Sequence, residues 1–577
     1  MHFRMLKHIA AFFIFCLATL YITFPLLSHL GEYTTGLGDE LVIAWIQNWV
    51  IHAVTSGNLF SIFNANLYYP FQNSLAFSDT FFTSSIISLI PRVIVGEPIV
   101  VNNVTLILSL TFLGFALYLL AYYITRSFPP SLLAGILVIF SPAVLSNTTH
   151  LQMLAIVGVP LSILFFLLFI NKQKSLYLLI SLTFFLLQVY NSFLPGYFIV
   201  ISCLIIFIVF WFQNRKKARK IISKNNILLT ALASLLLLPI VIPYYQVSKE
   251  FNYVRDIRDA IHFAIQPEDL LYPGSTSRLE PFLLNAVPTN KYSQNNEFKP
   301  GYLGFVFSFL SIVTLIYILK NRKKNDSNII MFSIIAATGF VLSLGPFLHL
   351  FRQTIHEPFP IPLPYILFYY LAPGFQGFRN SARWEMLFIL AFAIVIAIVL
   401  QKMLKKYSHR TRVLIYCVLI IGAVAEFNFP IHTNKVPHVK DFPKVYSWLN
   451  TTPQDTAIIE MPIYNWGMWP YTQQELWREY YGTVHFRKTV NGYTGFSPPP
   501  WQDLVNKLYK EFPEKDTVKV IKNLKIDYII VDKTQYNKLY KAKESKLDGE
   551  HIVQILKKNT LLEFVEQFNN QAVFKVK

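Results

Sequence analysis

Apolar runs long enough to cross a bilayer recur through the first three quarters of this sequence, and a chain built that way has few folds open to it. A helix needs about 20 apolar residues to span the hydrocarbon core. In lipid every backbone N–H and C=O must be satisfied within the protein, which leaves helices as the spanning element for runs of this length. Such runs occupy residues 8–28, 99–125, 131–146, 151–170, 176–190, 194–212, 227–245, 302–319, 329–349, 384–404 and 413–427, about eleven in all. Only 14% of the 577 residues are charged, against roughly 25% in a soluble domain. A single soluble globule is excluded, and the expected fold is mainly α, a polytopic transmembrane helical bundle.

Basic loops set the topology. Arg4 and Lys7 precede the first run, which places the N-terminus in the cytoplasm, and no small-residue cleavage site follows that would make the run a signal peptide. Eleven spans then put Arg126, the 171–174 loop, residues 215–220, 320–324 and 402–412 on the cytoplasmic side as well. The clustering explains most of the +19 net charge without nucleic acid as a partner. The count requires residues 81–95, interrupted by Pro91 and Arg92, and residues 360–375, interrupted by prolines, to be interfacial or re-entrant. It leaves a transmembrane domain over 1–429, with outer loops at 29–98 and 246–301, and a tail over 430–577. In the tail, short apolar runs such as 457–461 and 527–531 alternate with polar helical stretches such as 504–512 and 518–524, the pattern of a small extracytoplasmic α/β domain. Cys16, Cys203 and Cys417 all lie in apolar segments and take packing roles. Trp466, Trp469, Tyr471 and Trp477 in the tail suit core packing better than stacking on sugars.

The first outer loop opens with Gly38-Asp39-Glu40 before a helical stretch in which Leu41, Trp45 and Trp49 share one face. The spacing predicts a helix lying on the membrane surface with its indoles at the headgroups. Asp39 at its start is favoured as the ionised carboxylate by the helix N-terminus, and serves as an N-cap, a general base or a divalent-cation ligand. Asp79 precedes the apolar run at Phe81 and is a second acid or another cap. His150 and Gln152 sit in a tight turn between two apolar helices, where crowded polar residues suggest a wet pocket or an ordinary interfacial histidine.

Arg379 and Arg383 fall on the outer side, the face that should be poor in Lys and Arg. Four-residue spacing predicts both guanidinium groups on one helical face, a clamp for a lipid phosphate or a snorkelling pair at anionic headgroups. Arg352 and His356 lie just upstream on the same side. The 246–301 loop balances its charges and reads as a solvated face. No Walker-type glycine loop, His-Glu-x-x-His, metal-spaced Cys pair or Gly-x-Ser-x-Gly elbow is present, which argues against an ATP-driven pump, a zinc protease and a serine hydrolase.

The arrangement resembles the polytopic GT-C glycosyltransferases, which take sugar from a polyprenyl-phosphate donor on the outer membrane face. The resemblance rests on the N-in first helix, the long first loop opening with Asp39-Glu40, the surface helices, about eleven spans and the outer C-terminal domain. Local passages similar to a poorly characterised bacterial branch are Gly38-Asp39 with Trp45 and Trp49, Tyr69-Pro70-Phe71, His150-Leu151-Gln152, Pro267-Glu268-Asp269-Leu270, Phe378-Arg379 with Ala382-Arg383, and Val490-Asn491-Gly492-Tyr493. The resemblance implies an inverting transfer at a cell-membrane site with Asp39 as base, Glu40, Asp79 and His150 as further catalytic candidates, and Arg379, Arg383, Gln152 and Arg352 on the substrate. It also implies a glycan, lipid or protein acceptor, and a divalent cation, Mg or Mn, held by Asp39. Many members carry an acid in the second outer loop, where this sequence has His150 and Gln152. The competing readings are a transporter or flippase of lipid-linked saccharide and a non-catalytic envelope-assembly protein. The near absence of ionisable residues at mid-span argues against transport.

Overall fold

The computed structural model describes residues 2–271, 273, 277–283, 301–321, 326–350, 353–354 and 360–577. Each of the eleven apolar runs falls on helix. Among the described residues, five helices are long and apolar enough to cross a membrane: Met5–Ile22, Val100–Thr125, Leu151–Lys172, Phe193–Gln213 and Ser381–Leu404. The pair Lys224–Leu236 and Leu238–Phe251, bent by 48°, makes a sixth if read as one broken span. Phe128–Ile139, Ser175–Val189, Phe305–Lys320 and Ser327–Ser343 are shorter apolar helices, and His409–Glu426 opens with basic residues before its apolar stretch. The chain is a multi-pass membrane protein, mainly helical, with a mixed β-sheet near its C-terminal end.

It divides into two compact units. The first comprises Met1–Ser28, Thr105–Pro239 and Tyr253–His432. With lipid on the outside there is little hydrophobic gain in pairing helices, so close packing at small residues carries the association. Phe15 fills the space left by Gly114 and Gly135, where a Cβ would collide with its ring. At Gly339 a Cβ would fall 2.6 Å from the Phe388 amide, so Ser327–Ser343 lies tight against the Ser381–Leu404 helix. Ser162 and Ser181 exchange hydrogen bonds of about 3 Å between adjacent helices.

The second unit comprises His29–Val104, Ile240–Asn252 and Thr433–Lys577, so the first outer loop folds with the C-terminal region. Its sheet has strands β1 (Ala457–Met461), β2 (Lys488–Thr489), β3 (Tyr528–Asp532), β4 (Leu562–Phe568) and β5 (Gln571–Val576) in the order β2-β1-β3-β5-β4. β1 is parallel to β2 and β3, whereas β5 is antiparallel to β3 and β4. All five residues of β1 are buried, as expected for a strand covered on both faces. β4 is largely exposed and carries Glu563 and Glu566, charges suited to an unpaired edge. Val445, Tyr446 and Leu449 form a buried core with Ile458, Ile530 and Val573 of the sheet.

The loop from the N-terminal part of this unit prolongs the β2 edge. Thr489 N–H donates to Asn66 O at 2.7 Å, Tyr69 N–H to Thr489 O at 2.8 Å and Tyr68 N–H to Asn491 O at 3.2 Å. The Tyr68 ring is fully buried against Gly492, where a Cβ would lie 2.6 Å from it. Its hydroxyl accepts from the Thr494 N–H at 2.9 Å and the Thr494 hydroxyl at 3.1 Å. The passage Val490-Asn491-Gly492-Tyr493 thus fastens one end of the sequence to the other.

The helix Asp39–Thr55 differs from its expected place at the lipid surface. It is buried on nearly every side, with Trp45 1% exposed. Both indoles are spent inside the protein: Trp45 Nε1 donates to Asn66 Oδ1 at 3.1 Å and Trp49 Nε1 to Ile62 O at 2.8 Å. The helix Phe82–Val95 instead shows an inverted pattern, with Ser84, Ser85 and Ser88 buried and Ile86, Ile87, Ile90, Val93 and Ile94 exposed, the form of an interfacial helix. In the tail Tyr471 stacks on Tyr464, Trp477 on Tyr481 and Trp466 packs near Tyr493, while Trp469 is 68% exposed.

Candidate functional site

In the first unit a polar cleft lies at the head of the Ser381–Leu404 helix, lined by Asn147, His150, Asn380, Arg383 and Glu385 with Ala143, Met153 and Met386. One wall is the turn after the helix Pro142–Leu145. His150 N–H donates to Asn147 O at 2.9 Å and its carbonyl accepts from Met153 N–H at 2.8 Å, while Asn147 Nδ2 returns to Ala143 O at 2.9 Å. The other wall is the segment entering the span. Trp384 is fully buried, stacked on Phe375 at 5.7 Å and close to Phe198. Ser381 Oγ donates to Ala260 O at 2.7 Å. These contacts fix the backbone on either side of Arg383.

The two arginines are not aligned on one helical face. Asn380 is extended and Ser381–Trp384 is a 3-10 turn, so the four-residue spacing does not stack the side chains. Arg383 enters the cleft, whereas Arg379 is exposed with its guanidinium 5.0 Å from the Phe263 ring centre. Both charges still act on His150. Burial, then Arg383 and Arg379, hold its imidazole well below the usual histidine range, so it is neutral near pH 7. Its Nδ1 lies 2.8 Å from Thr149 Oγ1. Gln152 sits on the next turn, 8% exposed, outside the cleft lining. Arg352 and His356 lie outside the described residues.

The cleft includes residues that sequence reasoning missed. Asn147 and Asn380 carry no local signal. Glu385 carries one, being an acid at the head of an otherwise apolar span, the kind of residue that marks a functional position in a membrane helix. It is 2% exposed and its Oε1 has no hydrogen-bond partner among the described residues. The Asp269 carboxylate, from the passage Pro267–Leu271, acts on it electrostatically.

Asp39, Glu40 and Asp79 belong to the second unit. Gly38 is the N-cap residue and Asp39 the first helical residue, exposed at the positive end of the helix dipole. Gln473 Nε2 donates to Leu37 O at 2.6 Å and so anchors the approach to Asp39. Glu40 points inward, 1% exposed, accepting from Gly38 N–H and Thr35 Oγ1 at 3.2 Å each. Burial pushes its carboxyl up to about 7. Asp79 is half-buried two residues before Phe81, the N-cap residue of the helix Phe82–Val95. Among the described residues no group of three His, Cys, Asp or Glu side chains is gathered to hold a metal ion. Asp39 would contribute a single carboxylate to one.

Glu40 gives the second unit a pH dependence. The folded state holds its proton to about pH 7, the unfolded chain to about 4.5. Its contribution is complete below 4.5 and is lost as pH rises through 7. Relative to wild type, Glu40→Gln gains about 3 kcal/mol across that interval. Thermal melts of the whole protein in detergent should show the variant's midpoint rising against wild type between pH 5 and pH 8. An equal difference at both values would contradict the assignment.

The apolar bundle with its C-terminal mixed sheet has a fold similar to that of a solved membrane glycosyltransferase. The chain belongs to the family described as a domain of unknown function, DUF6311, whose model matches residues 45–424. No curated protein sequence matches it. Its fold is similar to that of the arabinofuranosyltransferase AftD from mycobacteria, with 12% identity and a TM-score of 0.54 over 99% of this chain and 40% of that one. It is also similar to the oligosaccharyltransferase from Archaeoglobus fulgidus, with 13% identity and a TM-score of 0.49 over 99% and 74%. The chain therefore spans about two fifths of the length of the arabinofuranosyltransferase.

Proposed function

We propose that the protein is a membrane glycosyltransferase that moves a sugar from a polyprenyl-phosphate donor to an extracytoplasmic acceptor. The observation that carries this reading is the cleft where Arg383, neutral His150, Asn147 and Asn380 meet at the head of an apolar helix, in a chain with the fold of a glycosyltransferase. A guanidinium beside neutral hydrogen-bonding groups suits a lipid phosphate whose tail stays in the bilayer. Arg379, more exposed, adds positive charge that reaches His150.

In the proposed reaction the acceptor hydroxyl oxygen attacks the anomeric carbon from the side opposite the phosphate. The carbon–oxygen bond to phosphate breaks and its electron pair leaves with the lipid phosphate, stabilised by Arg383. The hydroxyl proton passes to a general base, for which Asp39 is the candidate that the first loop offers. Configuration at the anomeric carbon inverts. A cell-membrane location with the N-terminus inside and the C-terminal domain outside belongs to the same reading, which the basic loops support.

Deleting the gene in its host tests it. The surface glycans, profiled by mass spectrometry, should lose one kind of glycosyl residue, and the corresponding lipid-linked sugar should accumulate. Unchanged glycans with unchanged lipid-linked sugars would contradict the proposal.

A further inference from the structure

A buried carboxylate without a partner needs explaining, because desolvating such a group without a hydrogen bond is costly. Glu385 is in that position. It lines the cleft, is 2% exposed, and its Oε1 has no hydrogen-bond partner among the described residues. Asn380 Oδ1, on the same wall, also lacks one there. No cationic group pairs with Glu385 among the described ion pairs, and its electrostatic neighbour is another acid, Asp269. The enclosed part of the cleft has room for about one water-sized group, too little for a sugar ring and enough for one substituent of it.

Two unsatisfied acceptors lining a narrow cleft, with an arginine on the same lining, match a ligand that carries a hydroxyl donor next to a phosphate. We infer that Glu385, aided by Asn380, reads one hydroxyl of the donor's sugar while Arg383 holds its phosphate, so that Glu385 sets which glycosyl group is accepted. This rests on the donor class proposed above. The ring stays at the mouth and inserts one hydroxyl, whose O–H donates to Glu385 Oε1. A site that buries a hydrogen-bonding group for a substrate hydroxyl rejects a ligand lacking it, because the protein group is then left unsatisfied.

Native mass spectrometry of the full protein in detergent tests the inference. The probes are undecaprenyl phosphate and undecaprenyl phosphate carrying glucose, mannose, galactose or arabinofuranose. Wild type should prefer at least one glycosylated lipid over the bare phosphate. Glu385→Leu should reduce that preference about 10- to 100-fold, the loss falling on the glycosylated lipid rather than on bare undecaprenyl phosphate. Glu385→Gln, which keeps an acceptor oxygen of the same reach, should restore much of the preference. Arg383→Ala should weaken all five lipids together.

A wild-type protein that binds the lipids with no preference among them, or a Glu385→Leu variant that keeps the preference, would overturn the inference and leave the phosphate site standing. So would a variant that loses bare and glycosylated lipids equally. Failure of wild type to bind any of the five would instead remove the donor reading on which the inference rests.

Discussion

Asp39→Asn should lower glycosyl transfer by about 10²- to 10⁴-fold, the range a positioned general base contributes. The substitution removes the proton acceptor and keeps the shape. Asp39 is exposed at the first helical position, and the N-cap position belongs to Gly38. The loss in fold stability should stay near the few tenths of a kcal/mol typical of a surface change at a helix end. Measuring transfer and thermal midpoint on the same preparation separates the two effects. Full transfer by Asp39→Asn at equal membrane abundance would remove the proposed base.

The largest effect on stability is expected at Arg478. It is 3% exposed among Glu475, Glu460 and Glu479, themselves 0%, 4% and 2% exposed. Its Nη1 donates to Glu475 Oε1 at 2.7 Å and to Pro462 O at 2.8 Å, and its Nε lies 3.5 Å from Glu460 Oε2. Asn491 Nδ2 completes the network by donating to Glu475 Oε2 at 3.0 Å and Glu460 O at 3.0 Å. Burial pushes the Glu460 carboxyl up to about 7 and raises those of Glu475 and Glu479. Taking away the cation leaves these acids desolvated together, and breaking a buried pair this way costs about 3–5 kcal/mol.

Arg478→Ala should therefore speed hydrogen exchange in the peptides covering Ala457–Met461, Gln473–Gly482 and Tyr528–Asp532 of the full protein. Neutralising the acids in the same chain, with Arg478→Met, Glu475→Gln and Glu460→Gln, should recover part of the loss, since a buried ion pair replaced as a set is often tolerated. Equal protection in Arg478→Ala and wild type would contradict the role given to the network.

The membrane helices were legible because lipid enforces length and polarity along a single segment, so each span is written locally. The strands at Ala457–Met461 and Tyr528–Asp532 were legible as short apolar runs for a similar reason. What sequence spacing could not show was partnership at long range. Trp45 and Trp49 read as a lipid-facing stripe, yet the indole of Trp45 bonds Asn66, which is itself tied to Arg487 O at 3.1 Å. No local periodicity distinguishes a face covered by lipid from one covered by protein hundreds of residues away.

The site was half legible for the same reason. Arg383 and His150 stood out as polar residues where the membrane pattern does not call for them, and the structure sets both on one cleft. The helix assumed for Arg379 and Arg383 failed because Asn380 is extended and Ser381 spends its hydroxyl on Ala260 O. Glu385 was hidden inside an apolar run, although an acid there is costly enough to have marked it. Glu475, Arg478 and Glu479 share one short helix and are all buried, a placement that only the fold of the second unit decides.

The most direct measurement follows the donor itself. Purified full-length protein in lipid nanodiscs is given undecaprenyl phosphate linked to each of the four sugars, together with an envelope fraction from the host as acceptor. The account predicts that one of these lipids is converted to undecaprenyl phosphate while its sugar appears on the acceptor with inverted anomeric configuration. Lipid that remains glycosylated in every case, or that crosses to the other leaflet with its sugar still attached, would contradict it.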